Sequence, residues 1–134
     1  PQFLELEITE SLYIKNIDNY IDDFRRLNQL GVKISIDDFG TGYSSLSQLR
    51  NLAINRLKID KSFIDDIRSE TDDNPIISAI MTIAKGLKLN VIAEGIETSS
   101  QLNYLRKIDC EMGQGYVLSK PLSTEGFEKL LMDK

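Results

Sequence analysis

The chain has 134 residues, of which 41% are hydrophobic, and this size is typical of one compact unit. A net charge of −5 disfavours binding to polymeric nucleic acid, and the absence of histidine excludes imidazole zinc ligands and histidine-dependent triads. The longest apolar stretch, IISAIMTIA, is far too short to cross a bilayer, so we expect a soluble, cytoplasmic segment without membrane contact. Any chemistry must therefore use carboxylates, amides, hydroxyls and lysine.

Short runs rich in β-branched residues recur along the chain and predict five strands. These runs are FLELEI (3–8), VKISID (32–37), NRLKID (55–60), LNVIAE (89–94) and GYVLSK (115–120).

Segments of helical periodicity separate the predicted strands. The clearest spans 16–31, with Asn16 as its cap and Gly31 at its exit, and a shorter one spans 43–52. A third helix follows the polar loop RSETDD, with Asn74 as cap and Pro75 at its first position.

Two more helix starts follow near the C-terminus. Thr98 and Gln101 form a capping box, and Ser123 caps the last helix. Strand and helix therefore alternate throughout, which predicts an α/β fold of about five parallel strands joined by helical crossovers, with no internal domain boundary.

Acidic and amide side chains mark the carboxyl ends of the predicted strands, where ligands sit in parallel α/β sheets. One such acid alone is best explained as a helix cap, but several acids converging on one rim would repel each other without cations. The rim residues are Glu7, Glu10, Asp37, Asp38, Lys58, Asp60, Glu94, Glu97 and Gln114.

Hard oxygen ligands without histidine or thiolate select Mg²⁺ or Mn²⁺. Asp37 and Asp38 point to opposite sides of their strand, so we expect Asp37 to bridge two ions and Asp38 to reach the second. Two such ions could activate water against a phosphodiester. Lys58, within RLKID, is predicted to point inward and to orient that water.

Gly40 and Gly42 are compatible with an ordinary turn. Their place directly after two predicted ligands favours a loop that becomes ordered when metal binds. The role of Tyr43, in packing or in ligand contact, is left open by the sequence.

Several motifs in order, LELEITES, KISIDDFGTGYSSL, LKIDKSFI, VIAEGIET and CEMGQGYVLSKPL, resemble those of EAL-domain phosphodiesterases, bacterial hydrolases of the signalling dinucleotide cyclic di-GMP. The resemblance runs the whole length. It implies a (β/α)₈ barrel of the TIM type, two Mg²⁺ or Mn²⁺ ions, and cleavage of cyclic di-GMP to its linear form, pGpG.

The resemblance also implies roles for individual residues. The metal ligands match Glu7, Asp37 and Asp38, and the lysine that holds the catalytic water matches Lys58. Glu94 and Glu97 match the acids that complete the metal and water network, and Gln114 matches the amide that supports this network. Glu10 matches the residue that holds the loop containing Gly40 and Gly42.

The Glu-Ala-Leu motif and an asparagine ligand of the family are absent and are expected upstream of Pro1. A complete barrel needs about 250 residues. We therefore expect residues 1–134 to be the C-terminal portion of one EAL domain, to self-associate or dimerise through open sheet edges, and to show little turnover without the upstream remainder.

Two alternatives remain at this stage. An EAL-type domain could bind cyclic di-GMP or a partner protein as a signalling module without cleaving it. A phosphoacceptor receiver domain also has five βα units, paired acids and a lysine. It places the acid pair after the first strand and the lysine near the last strand, whereas in this chain both lie in the middle.

Overall fold

The computed structural model describes the backbone of residues 1–42 and 46–132, together with the side chains of these residues apart from 11–19 and 46–48. The side chains of Ile17 and Tyr43 and the predicted serine start of the second helix lie outside the described residues.

The described residues form five parallel strands in one sheet, in the order β1-β2-β3-β4-β5. The strands are β1 (Glu5–Thr9), β2 (Lys33–Phe39), β3 (Arg56–Ile59), β4 (Asn90–Ala93) and β5 (Met112–Gly113). The helices are α1 (Glu10–Gln29), α2 (Leu46–Asn51), α3 (Lys61–Asp65), α4 (Pro75–Leu87), α5 (Ser99–Lys107) and α6 (Thr124–Met132). The predicted α/β class and the predicted parallel sheet are confirmed.

Alternation along the strands divides the sheet into two chemically different faces. Ile34 and Ile36 of β2 are completely buried against the helical layer, as are Leu57 and Ile59 of β3. The residues between them, which point to the opposite face, are polar or charged. One face therefore supplies the hydrophobic core, and the other presents functional groups.

Local signals explain most helix boundaries. The Asn74 side chain accepts hydrogen bonds from the amides of Ile76 and Ile77, and Thr98 and Gln101 form the predicted capping box. The Ser123 hydroxyl accepts a bond from the Gly126 amide at 3.3 Å. These three predicted caps are confirmed, as is the exit of α1 at Gly31, where φ is +88°.

Three details of the predicted elements are wrong. Helix α1 begins at Glu10, directly after β1, so Asn16 lies within the helix and does not cap it. Residues 115–120 form a turn because the amides of Leu118 and Ser119 both bond back to the Gly115 carbonyl, and the fifth strand is Met112–Gly113. Helix α3 was not predicted.

Two further features bear on how the chain behaves. Among the described residues, no helix combines the length and apolarity needed to cross a membrane.

Cys110, the single cysteine of the sequence, is buried, and this burial raises the pKa of its thiol.

Candidate active site

Lys58 lies at the centre of a cluster of acidic side chains on the polar face of the sheet. Its ammonium nitrogen is 2.7 Å from Glu7 Oε1, 3.1 Å from Asp37 Oδ1 and 2.8 Å from Glu94 Oε1. Only 7% of the Lys58 side chain is exposed, whereas Glu7 is 52% exposed. The structure therefore brings four of the predicted site residues into direct contact.

Strand register accounts for this convergence. Glu7 belongs to β1, Asp37 to β2 and Lys58 to β3, and Glu94 directly follows β4. Because adjacent parallel strands are staggered in register, their side chains meet across the sheet at its carboxyl edge. The inward orientation predicted for Lys58 is what the structure shows.

The electrostatics of the cluster favour a charged lysine. Burial alone would lower the pKa of Lys58, but hydrogen bonds to Glu7, Glu94 and Asp37 outweigh it and hold that pKa above its usual value. Burial raises the pKa of Glu94, while Lys58 opposes this effect and the charges of Asp37 and Glu7 add to it. Lys58 is therefore a permanent hydrogen-bond donor near neutral pH, and Glu94 takes up a proton more readily than a free glutamate does.

Gln114 orients Glu94 from the loop after β5. Its side-chain amide nitrogen donates to Glu94 Oε1 at 2.9 Å, the same oxygen that contacts Lys58. The role of supporting amide that the resemblance implied for Gln114 stays a prediction.

Glu10 fixes the loop that follows β2. It is 2% exposed, and its Oε2 accepts bonds from the Gly40 amide at 2.9 Å and from the Gly42 amide at 3.2 Å. At Gly42, an added Cβ would lie 2.9 Å from Glu10 Oε1, so a larger residue would displace this carboxylate. Gly40 has a φ of +98°, which favours glycine.

Asp38 stands apart from the Lys58 cluster. Its backbone is left-handed, with φ of 55°, and its amide bonds to Asp37 Oδ1 at 3.1 Å. Burial raises the pKa of Asp38, and the neighbouring charges of Asp37 and Asp60 raise it further. The pKa of Asp60 is lowered, chiefly because its carboxylate accepts a bond from the Ser62 hydroxyl. Asp38 and Asp60 therefore form a second acidic pair beside the first cluster.

Glu97 does not join the cluster around Lys58. Its carboxylate contacts the ammonium of Lys61 at 2.5 Å, and both side chains are almost half exposed. Lys61 was not among the predicted site residues, although its position directly after LKID places it at the same rim.

The donor set is chemically suited to a hard divalent cation, since carboxylate and amide oxygens are the ligands that Mg²⁺ and Mn²⁺ prefer. Within the described ranges, however, no group of three aspartate, glutamate or cysteine side chains is arranged to hold a metal ion. The ammonium of Lys58 lies instead where Glu7, Asp37 and Glu94 converge. Cation binding would therefore require these carboxylates to reorient.

The family model described as "EAL domain" matches residues 1–121. The chain belongs to the EAL domain family. The receiver-domain alternative is therefore wrong, and the resemblance seen in the motifs is confirmed.

Relatives of this EAL chain include proteins named for cyclic di-GMP chemistry. The chain is 51% identical over 129 residues to cyclic di-GMP phosphodiesterase NbdA of Pseudomonas aeruginosa, covering 96% of the chain and 16% of NbdA. It is 45% identical over 134 residues to signaling protein YkoW of Bacillus subtilis, covering 100% of the chain and 17% of YkoW. The chain thus spans less than a fifth of the length of these relatives.

Solved EAL structures share the fold of the chain. The phosphodiesterase MucR of Pseudomonas aeruginosa, in complex with c-di-GMP, superposes with a TM-score of 0.87 at 42% identity, over 95% of this chain and 51% of that one. BlrP1 of Klebsiella pneumoniae, in a manganese and cyclic di-GMP complex, gives a TM-score of 0.77 at 30% identity, over 90% of this chain and 31% of that one.

Proposed function

We propose that residues 1–134 are the C-terminal portion of an EAL phosphodiesterase domain that hydrolyses cyclic di-GMP to linear pGpG. The Lys58 ammonium, enclosed by Glu7, Asp37 and Glu94, is the single observation that carries the proposal. A buried lysine among acids beside an amide donor suits the orientation of water against a phosphodiester. The names of the relatives and the ligand of the MucR structure support cyclic di-GMP as substrate.

In the proposed reaction a water oxygen attacks phosphorus and one phosphorus–oxygen ester bond breaks. Lys58 donates a hydrogen bond that orients the water and offsets negative charge at phosphorus, because its raised pKa keeps it protonated. Glu94 accepts the proton of the water, and Gln114 holds the Glu94 carboxylate in place. The proton then passes to the departing alkoxide, which completes the hydrolysis.

Glu7, Asp37 and Asp38 are the residues that would hold two Mg²⁺ or Mn²⁺ ions. When bound, such ions supply Lewis acidity toward the phosphoryl oxygens. The manganese in the BlrP1 complex supports a divalent cation as the cofactor. Glu10, Gly40 and Gly42 would keep the Asp37–Asp38 segment in position through the loop bonds described above.

The test is a hydrolysis assay on the full-length protein that carries this chain, with Mn²⁺ and cyclic di-GMP, and with pGpG quantified by chromatography. We expect Lys58→Met to lower kcat by about 10²–10⁴-fold, the range for loss of one electrostatic or proton-transfer group. Lys129→Met, at an exposed lysine of α6, is the matched control and should retain wild-type kcat. Cyclic di-GMP binding without hydrolysis by the wild type would overturn the proposal and favour the signalling-module alternative.

A further inference from the structure

A second layer of side chains, polar on β1, β2 and β3, lies directly beneath the Lys58 cluster. Side chains two residues apart on a strand point to the same face, so each site residue has a neighbour one step further down its strand. These neighbours are Glu5 below Glu7, Ser35 below Asp37, Arg56 below Lys58 and Ile92 below Glu94.

Glu5 and Arg56 form an ion pair across this lower layer. Arg56 Nη1 donates to Glu5 Oε2, and the two side chains are 24% and 27% exposed for Glu5 and Arg56 respectively. The partners belong to β1 and β3, so the pair passes over β2 just as the pair between Glu7 and Lys58 does. Two ionic bridges, one above the other, therefore connect the same two strands.

Glu5 is the ionic partner of Arg56 among the described residues. Ser35, the register partner of Arg56 on β2, is completely buried. Among the described residues, neither Ser35 Oγ nor Arg56 Nε has a hydrogen-bond partner, although both atoms are buried. The contact with Glu5 orients the Arg56 guanidinium, and losing it would remove the ionic partner of a side chain that is only partly exposed.

Glu7 is the site residue that most needs such support. It is 52% exposed, and its strand β1 pairs only with β2 within the described ranges. No layer of buried neighbours fixes a half-exposed carboxylate, so its distance from Lys58 depends on how β1 is held relative to β3. The bridge one step below is a direct side-chain connection between these two strands.

We propose that Glu5 and Arg56 are positioning residues that hold Glu7 at the reaction centre by tying β1 to β3 beneath it. The inference rests on the proposed phosphodiesterase function, in which Glu7 is a metal ligand. Arg56 lies one layer below the Lys58 cluster and contacts Glu5. Its effect on metal binding and turnover must therefore pass through the position of Glu7. Changes in partners that orient metal ligands typically alter metal affinity or activity by about 10–100-fold.

The experiment compares Arg56→Met, Arg56→Lys and wild type in the full-length protein. Three quantities are measured: Mn²⁺ affinity by calorimetry, kcat and KM for cyclic di-GMP, and the melting temperature. For Arg56→Met we expect Mn²⁺ affinity and kcat to fall about tenfold or more, with KM for the dinucleotide within about twofold of wild type. Arg56→Lys, which keeps the positive charge, should recover most of both losses.

The matched control is Arg25→Met, which breaks the exposed Arg25–Asp22 pair on α1 and should leave all three quantities unchanged. If Arg56→Met does not fold, Glu5→Gln provides the second test, since it removes the charge while keeping the side-chain volume, and the same losses are expected. A lower melting temperature with Mn²⁺ affinity and kcat at wild-type values would overturn the proposal and leave a purely structural pair. Absence of turnover in the wild type would overturn the proposed function alone, because the Mn²⁺ titration still decides the role of Arg56.

Discussion

The hydrogen bonds from Gly40 and Gly42 to Glu10 allow a quantitative prediction for the loop after β2. Each bond joins a neutral amide to an ionised acceptor, and such bonds contribute about 1.5–3 kcal/mol. Two of them would give about 3–6 kcal/mol, but both glycines are exposed and water can replace the lost acceptor. We therefore expect Glu10→Ala to lower the free energy of loop opening by about 3 kcal/mol.

Amide hydrogen exchange measures this opening directly. Since about 1.4 kcal/mol corresponds to a factor of ten, the peptide that contains Gly40 and Gly42 should exchange about a hundredfold faster in Glu10→Ala than in wild type. Glu10→Gln retains a neutral acceptor and should give an intermediate rate. Glu128→Ala, at an exposed glutamate of α6, serves as the control. Exchange in Glu10→Ala within about threefold of wild type would refute the assignment of loop order to Glu10.

Three further predictions concern pH, the core and assembly. Because the pKa of Glu94 is raised in the folded state, Glu94 stabilises the fold fully at pH values below its ordinary pKa of 4.5. This contribution is lost as the pH rises through the folded-state pKa. In urea titrations, wild type should therefore lose stability relative to Glu94→Gln as the pH increases. The opposite slope would contradict the burial argument. Ile36→Ala should lower the free energy of unfolding by about 2–5 kcal/mol, because Ile36 is completely buried. The control Ile76→Ala, at a side chain that is 46% exposed, should lower it by under about 1 kcal/mol in the same titration. Isolated residues 1–134 should form oligomers in sedimentation experiments, because Phe3 is 95% exposed beside an edge of β1 that pairs with no other described strand. A stable monomer would rule out this expectation.

The parts of the fold that sequence predicted well depend on local chemistry. Asn74 before Pro75, and Thr98 three residues before Gln101, satisfy helix amides within one turn, so the pattern alone identifies them. The contact of Lys58 with the rim acids was also predictable, because strand ends in a parallel sheet share one edge.

The parts that sequence missed depend on contacts between distant segments. Tyr116 and Val117 are residue types that favour strands, but the amide of Val117 bonds to the Ile96 carbonyl and residues 115–120 form a turn instead. Pairing of Glu97 with Lys61, and of Glu5 with Arg56, joins side chains 36 and 51 positions apart. Such pairs depend on how the crossovers bring distant segments side by side, and local sequence patterns do not reveal that alignment.

The buried thiol of Cys110 makes residues 1–134 convenient for site-specific labelling. A maleimide reacts with accessible thiolates, and Cys110 is 7% exposed with a pKa raised by burial. A cysteine placed at an exposed position such as Lys129 would therefore react while the native one stays silent. Fluorophores or spin labels attached in this way could follow movement of α6 without first removing Cys110.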